Sequence, residues 1–268
     1  MQSFILLLKY ILIGIIQGLT EILPLSSSGH LAILYKLLNI NIENQLEITI
    51  YLHFASSLAL LIFFKKDILN IILGSFKYIF KKENKYINEA KIIIYLIVAS
   101  LPAAIVGFFL NDFIEGAFNS VYLIAINFTI TALILFIHNT ISIKKQVEYN
   151  LKNTFITGIF QSLAIFPGIS RSGMTLFGGR LAKLKDNYAK KFSFYLLIVV
   201  SFGSTLISLI KEKIFFNEAT ILYLISMLFA FLFTYLALKL FFNYKSKRIK
   251  HFFPIYLLAI SFFILMYF

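Results

Sequence analysis

The sequence predicts an all-α polytopic membrane protein built as an inverted-topology repeat, with six transmembrane helices plus two re-entrant helix-loop-helix hairpins. Three features lead to this fold class: the overall hydropathy, the number of apolar segments of bilayer length, and a polar motif that occurs twice. Of the 268 residues, 60% are hydrophobic and 14% are charged, and the mean hydropathy is +0.87. Soluble domains contain about 45–50% apolar and about 25% charged residues. We therefore predict a single integral membrane domain over residues 1–268.

A helix needs about 20 predominantly apolar residues to cross the hydrocarbon core of a bilayer. Six stretches meet this requirement, at 47–64, 90–110, 119–138, 192–210, 217–240 and 251–268. Two further segments, 4–38 and 153–183, are apolar helical runs broken by proline, serine and glycine. Irregular backbone at membrane depth is tolerated only where protein or a wet cavity satisfies its polar groups. We therefore predict that these two segments are the re-entrant hairpins, with loops buried in protein.

The two interrupted segments repeat each other at a constant offset of 144 residues, which divides the chain at about 1–140 and 145–268. The informative matches are polar or glycine residues, because apolar identities arise easily in such a chain. They are Gln17 with Gln161, Ser26 with Ser170, Ser28 with Ser172, and Gly29 with Gly173.

The charge distribution predicts the orientation of the repeats. The net charge is +13, and nineteen of the 25 basic residues lie in clusters at 65–91, 144–152, 180–191 and 245–250. We interpret these clusters as cytoplasmic loops under the positive-inside rule, and we expect no nucleic-acid partner. Three spans in each half would invert the second half, with the N-terminus outside and all four clusters inside. An inverted repeat brings its irregular loops together near the bilayer midplane.

The two halves differ in the residues that carry charge and chemistry. Glu21 corresponds to Ile165, and Ser27 corresponds to Arg171. His30 of the first half corresponds to Met174. One half therefore supplies an acid, hydroxyls and an imidazole, and the other supplies a permanent cation. This asymmetry predicts a site for one polar, anionic substrate.

Glu21 lies at membrane depth, where a carboxylate is costly and indicates a functional site. Gln17 shares its helix face at a spacing of four residues. The pair could ligate Mg²⁺ or Ca²⁺, which prefer oxygen ligands. Two alternatives remain open for Glu21: it could orient His30 as a base, or it could be a buried acid paired with a neighbouring donor.

The second loop, Ser170–Gly173, predicts a phosphate-binding site. The guanidinium of Arg171 offers a planar fork of donors that suits phosphate oxygens. Ser170, Ser172 and Gly173 surround it in a loop whose backbone N–H groups can hold an anion. The alternatives for Arg171 are a snorkelling arginine or one paired with a carboxylate.

In the first loop, Ser26, Ser27 and Ser28 precede a short helical run. One serine is expected to be the helix N-cap, and Ser28 fits that role best, as Ser172 does in the other half. Ser27 differs from its counterpart in the other half, Arg171, which favours a chemical role for it. His30 could activate Ser27 as a nucleophile. Attack by His30 itself or by water remains open.

The remaining histidines carry less weight. His138 and His251 lie near basic helix ends and are interpreted as interfacial. His53 falls within the predicted span 47–64 and is interpreted as a packed polar residue.

The chain resembles the bacterial undecaprenyl-diphosphate phosphatase (bacitracin resistance protein) family. The matching stretches are QGLTEILPLSSSGH at Gln17–His30, VASLPAAIVGFF at Val98–Phe109 and FQSLAIFPGISRSG at Phe160–Gly173. The resemblance implies removal of the terminal phosphate from a C55 polyprenyl diphosphate, with recycling of the cell-wall carrier lipid and resistance to bacitracin. It also implies a divalent cation, a bacterial plasma (inner) membrane location and a site open to the outer face.

Carried onto this sequence, the family motifs place an acidic element at Gln17 and Glu21, although family members often have glutamate at the first of these positions. The serine–histidine loop of the family falls on Ser26, Ser27 and His30. Its phosphate-binding loop falls on Ser170–Gly173, with Arg171 as the cation.

Two other function classes are compatible with this architecture. Inverted repeats with broken helices are typical of secondary transporters, so a polyprenyl-phosphate transporter or flippase is the main alternative. A scaffold protein would leave the buried Glu21 and Arg171 unexplained. The asymmetry between the halves favours a hydrolase, since transport requires only a binding site. A homodimer remains open.

Overall fold

The computed structural model describes residues 2–40, 42–143, 146–211, 220–243 and 247–268. Over these residues the chain forms twelve α-helices, one short 3₁₀ turn at Asn84–Tyr86, and no β-strand, which confirms the all-α prediction. The helices are α1 Gln2–Ile22, α2 Ser27–Leu37, α3 Ile42–Phe63, α4 Lys65–Lys81, α5 Ile87–Phe109, α6 Asn111–Asn119, α7 Val121–Thr140, α8 Leu151–Leu163, α9 Arg171–Leu181, α10 Asp186–Lys211, α11 Thr220–Asn243 and α12 Lys247–Tyr267.

Several of these helices are suited to a bilayer. Among the described residues, four are long and apolar enough to span it, and a fifth span results if one bent pair is counted as a unit. The predicted spans 90–110, 119–138 and 217–240 coincide with three of the four. The spans predicted at 192–210 and 251–268 are helical, but over the described residues these helices are not both long enough and apolar enough to cross a bilayer. The chain is therefore a polytopic α-helical membrane protein.

The predicted span 47–64 continues into a structure that the sequence did not predict. Helix α3 is followed directly by α4, and the two axes differ by 78°. The break is at Phe64, whose side chain is buried in an aromatic cluster with Phe63, Phe194 and Phe242. Burial of this ring fixes the direction in which α4 leaves the bundle.

Both interrupted segments are helix–loop–helix units, formed by α1 with α2 and by α8 with α9. The first arm of the first unit is the fourth helix of spanning length, Ser3–Ile22, whereas α8 has only 13 residues. Re-entrance of both units, and the inside–outside orientation, stay predictions. Residues 144–145 of the predicted basic cluster 144–152, residues 245–246 of the cluster 245–250, and the connection 212–219 lie outside the described residues.

In each half of the chain, the first helix of the helix–loop–helix unit packs on a helix of the other half. Helix α1 packs on α11, and α8 packs on α5. Both contacts need glycine at equivalent positions of the repeat. A Cβ atom at Gly14 would lie 2.3 Å from the carbonyl oxygen of Ser226, and one at Gly158 would lie 2.4 Å from that of Ala99. These close approaches bring the loops that follow α1 and α8 into the centre of the bundle.

Candidate active site

The two polar loops meet inside the protein, as the repeat predicts. The backbone N–H of Gly168 donates to the Ser26 hydroxyl at 3.1 Å. In the opposite direction, the Ser172 hydroxyl donates to the carbonyl oxygen of Leu23 at 3.1 Å. A Cβ atom at Gly29 would lie 2.8 Å from the Gly168 backbone, so the loops touch without intervening side chains. Each loop therefore satisfies polar backbone groups of the other.

Helix α7 holds the second loop in place. Gly168 has φ +93°, in the left-handed region that favours glycine. Asn127 donates to the Pro167 carbonyl at 2.8 Å. Thr131 donates to the Gly168 carbonyl at 2.9 Å and accepts from the Ser170 N–H at 3.2 Å. Asn127 and Thr131 were not predicted as supports of the loop, because polar residues in an apolar span reveal their partners only in the folded chain.

The helix caps differ from the prediction, which was wrong in assigning them to Ser28 and Ser172. Ser26 caps α2 and Ser170 caps α9, each accepting a hydrogen bond from the N–H three residues later, at 3.4 and 3.2 Å. Ser26 also has φ 65°, an unfavourable conformation for a non-glycine residue. The hydrogen bond from Gly168 helps to hold Ser26 in this conformation.

Glu21 is the centre of the polar contacts between the loops, and its side chain is only 1% exposed. Its Oε2 accepts hydrogen bonds from the Ser27 hydroxyl and, at 3.2 Å, from the Gln17 amide. Its Oε1 accepts from Nη2 of Arg171. The structure thus brings together the acid and hydroxyl of one half and the cation of the other.

These groups border a cavity of ≈ 230 Å³ between the two halves. Ser26, Ser27, Ser170, Arg171 and Ser172 all line it, together with Glu21. The lining therefore combines several serine hydroxyls with one guanidinium and one carboxylate. A phosphate group in this cavity would meet the Arg171 cation beside the Ser27 hydroxyl.

Arg171 is the first residue of α9, and its guanidinium reaches across the cavity. Besides contacting Glu21, its Nη1 donates to the Ser201 hydroxyl of α10 at 3.4 Å. The latter bond is long for an N–H···O contact and correspondingly weak. The N-terminus of a helix also favours anions through its partial positive charge. Arg171 can therefore turn part of its donor fork towards a phosphate at small cost.

No hydrogen bond joins His30 to Ser27 in the part of the chain that the structure describes, so the structure does not support the prediction that His30 activates this serine. Its Nδ1 lies 2.8 Å from the Ser26 carbonyl oxygen, and its Nε2 lies 2.9 Å from the Tyr256 hydroxyl of α12. Its ring stacks on that of Tyr256 with an interplanar angle of 4°. Both ring nitrogens are engaged and the side chain is buried. His30 supports the loop from behind instead of facing the cavity.

His53 of α3, interpreted from the sequence as packed, instead lines the cavity with a side chain that is 26% exposed. Its Nδ1 lies 3.6 Å from Oε1 of Glu21 and 3.5 Å from Nε2 of Gln17. Ser56, three residues further on, accepts a hydrogen bond from Gln17 at 3.4 Å. Two polar residues at this spacing on an apolar helix were the available signal, since they share one face.

The residues present suit a divalent cation only in part. Among the described residues, no group of three or more His, Cys, Asp or Glu side chains could hold a metal ion. Glu21 supplies a single carboxylate. Gln17 Oε1 is buried and has no hydrogen-bond partner, whereas Nε2 of the same amide contacts the Glu21 carboxylate. Mg²⁺ is commonly held by one or two carboxylates together with water and substrate phosphates. This donor set fits a cation shared with a bound phosphate.

Comparisons with known proteins identify chains that are similar to this one over nearly its whole length. The family model described as bacitracin resistance protein BacA matches residues 10–263. Undecaprenyl-diphosphatase 1 of Bacillus licheniformis is 35% identical over 270 residues, covering 99% of this chain and 100% of the relative. Undecaprenyl-diphosphatase of Methanococcus maripaludis is 37% identical over 262 residues, covering 97% and 100%. Undecaprenyl-diphosphatase 2 of Bacillus thuringiensis is 33% identical, covering 97% of each chain.

Proposed function

The chain belongs to the bacitracin resistance protein BacA family, and we propose that it hydrolyses undecaprenyl diphosphate to undecaprenyl phosphate and inorganic phosphate. One observation carries this proposal: the Ser27 hydroxyl donates to the Glu21 carboxylate in a cavity that also contains the Arg171 guanidinium. A nucleophile, a proton acceptor and a phosphate-binding cation are thereby in contact. Phosphoryl transfer depends mainly on positioning and on stabilisation of charge.

Ser27 is the nucleophile in this account. Its oxygen attacks the terminal phosphorus, and its proton passes to Oε2 of Glu21, the atom to which it is already hydrogen-bonded. The bond between the terminal phosphorus and the bridging oxygen breaks, and its electron pair leaves with undecaprenyl phosphate. Water then attacks the phosphorus of the phosphoserine, the bond between this phosphorus and the Ser27 oxygen breaks, and its electron pair stays on that oxygen. Inorganic phosphate departs, and Ser27 recovers its proton from Glu21.

Arg171 binds the diphosphate and stabilises the charge that develops on it. Its guanidinium has five N–H donors, so it can keep a bond to Glu21 while others reach phosphate oxygens. The weak bond to Ser201 is the contact most easily exchanged for a phosphate. Ser170, Ser172 and Gly173 complete the substrate-binding loop, and Ser26 fixes the opposite loop against it.

We further propose that Gln17 and Glu21 help to hold a Mg²⁺ or Ca²⁺ ion that enters with the diphosphate. Rotation of the Gln17 amide would exchange Nε2 for the unpaired Oε1 at the Glu21 carboxylate and so present both oxygens to the ion. The ion would supply additional neutralisation of the diphosphate charge. Because a single carboxylate is available, we expect weak binding of the cation to the free protein.

In the cell, this activity would return the carrier lipid to cell-wall synthesis and confer resistance to bacitracin when the protein is abundant. We propose that the chain resides in the plasma (inner) membrane with its site open to the outer face. The basic clusters support this orientation, because they fall between apolar segments on one predicted face.

The test is release of labelled terminal phosphate from undecaprenyl diphosphate by the purified protein, with and without a chelator. We expect phosphate release that falls on chelation and returns with added Mg²⁺ or Ca²⁺. Transport of the intact lipid across a vesicle membrane without phosphate release would contradict the proposal and favour a flippase. If the chelator left turnover undiminished, the proposed phosphatase function would stand and the proposed role of a divalent cation would be contradicted.

A further inference from the structure

An apolar groove lies next to the catalytic cavity, between helices α4, α5 and α10. It has a volume of ≈ 230 Å³, and eight of the nine residues that line it are aliphatic. Each helix contributes branched or bulky side chains to its wall. They include Ile68 and Ile71 of α4, Leu96 and Ile97 of α5, and Ile198 and Val199 of α10. We call this feature the α5–α10 groove.

The groove continues from the cavity along the same two helices. On α5, Ala103 lines the cavity and Leu96 lines the groove. These two residues are seven positions apart, so they lie on one face of the helix with a rise of about 10 Å between them. On α10, Ser201 lines the cavity and Ile198 lines the groove. Residues three apart are neighbours on one helix face, so the two spaces adjoin.

Arg171 marks the boundary between the polar and apolar spaces. Its Nη1 donates a hydrogen bond to the hydroxyl of Ser201, an α10 residue that lines the cavity. A diphosphate bound by this guanidinium therefore lies at the mouth of the groove. In the proposed substrate, an isoprenoid chain is attached directly to the diphosphate, so its first units must lie close to Arg171.

We infer that the α5–α10 groove binds the first isoprene units of the substrate lipid, an inference that rests on the proposed phosphatase function. The chain is branched and apolar, and so are the side chains that line the groove. Each methylene group that leaves water for an apolar surface favours binding. The groove would thus supply binding energy that a free diphosphate lacks.

The far end of the groove is closed by a polar network. The Tyr195 hydroxyl donates to Oδ2 of Asp67 at 3.0 Å, and Lys191 donates to the same oxygen at 2.7 Å. The Tyr195 hydroxyl is therefore engaged, and the groove contains no unpaired group from this network. The chain must turn outwards into the bilayer at this point. We expect affinity to rise with the first few isoprene units and to change little with further length.

The experiment fills the groove and compares substrates of different length. Ile97→Trp and Val199→Trp are the test variants. Ile105→Trp is the matched control, because Ile97 and Ile105 lie on the same helix and each is 56% exposed. KM and kcat are measured for dimethylallyl diphosphate with one isoprene unit, farnesyl diphosphate with three, and undecaprenyl diphosphate.

We expect the test variants to raise KM for the two longer substrates on the order of tenfold, the effect of displacing about two buried methylene groups. The change in KM for the one-unit substrate should be less than about a third of this, since that substrate barely enters the groove. The control variant should change no KM more than about twofold, the effect of a surface substitution. An equal change in KM for all three substrates, or an equal effect of Ile105→Trp, would overturn the inference. It would indicate that the groove is filled by lipids of the surrounding bilayer.

A second measurement keeps the inference separate from the proposed function. A photoreactive farnesyl diphosphate is crosslinked to the wild-type protein, and the labelled peptides are mapped. Label on the groove-lining residues of α4, α5 or α10 supports the inference even if no phosphate is released. Label confined to helices other than these three contradicts it, whether or not the protein is a phosphatase.

Discussion

Arg171 and Glu21 are 150 residues apart in the sequence and form an ion pair at the point where the two polar loops meet. Glu21 lies in the first half of the chain and Arg171 in the second. Their counterparts in the repeat, Ile165 and Ser27, carry no charge. The pair therefore exists only because the loops are held together. It links the fold, through the loop contacts, to the chemistry of the cavity.

Two substitutions of Arg171 should distinguish how much its charge and its planar geometry each contribute to kcat/KM. Arg171→Lys keeps the charge but loses the planar fork. A charge-assisted hydrogen bond is worth about 1.5–3 kcal/mol, which corresponds to a loss on the order of tenfold to a hundredfold in kcat/KM. Arg171→Ala should lose more. The measurement is kcat/KM per folded molecule, together with Tm. Normal specific activity with a collapsed Tm would leave Arg171 a purely structural partner of Glu21.

The neighbouring serines should give different signatures. Ser27→Ala removes the nucleophile and should abolish turnover while substrate binding persists. Ser26→Ala leaves the N–H groups of Gly29 and Gly168 without their hydroxyl partner, so it should lower the free energy of unfolding by about 1–3 kcal/mol and retain partial activity. Turnover, substrate binding and Tm are measured for both. Comparable residual activity in the two variants would favour attack by water or by His30.

His30 should act as a positioning residue through Tyr256. Tyr256→Phe leaves a buried imidazole nitrogen without its partner, at a cost of about 1–3 kcal/mol. We expect a lower kcat, an unchanged KM and an unchanged shape of the pH–rate profile. Because both residues act on the same loop, the double variant with His30→Ala should lose no more than His30→Ala alone. Loss of one limb of the pH profile in His30→Ala would instead restore His30 as a proton acceptor.

The close packing of α8 on α5 should be intolerant of any side chain at Gly158. Gly158→Ala places a Cβ atom against the Ala99 carbonyl oxygen. Overpacking of this kind costs about 1–3 kcal/mol, so Tm and folded yield should fall. Gly203→Ala is the control, because a Cβ atom there meets nothing within 4 Å. Equal Tm values for the two variants would show that α8 can move away from α5 without cost.

The repeat in the sequence was sufficient to predict that the loops meet, because matched irregular segments in an apolar chain must satisfy each other's backbone. It also singled out Glu21, Ser27 and Arg171 as positions where the halves diverge. The structure brings all three into contact. These predictions succeeded because they depend on sequence identity and on the cost of burying polar groups.

Other features depend on contacts that no local pattern contains. Ser26, not Ser28, is the N-cap of α2, and its hydroxyl also accepts a hydrogen bond from the N–H of Gly168 in the other half of the chain. His30 turns away from Ser27 because a partner on α12 is available to it. His53 is in the site because α3 packs beside α1, and its sequence neighbours are mostly apolar.

The most direct test of the central claim is to trap the phosphorylated intermediate. The purified protein is mixed with undecaprenyl diphosphate labelled in its terminal phosphate, quenched within one turnover, and analysed for labelled peptides. Ser27→Ala and Ser26→Ala serve as paired variants. We predict label on Ser27 in the wild-type protein and in Ser26→Ala, and none in Ser27→Ala. Phosphate release within the first turnover without label on Ser27 would contradict the account.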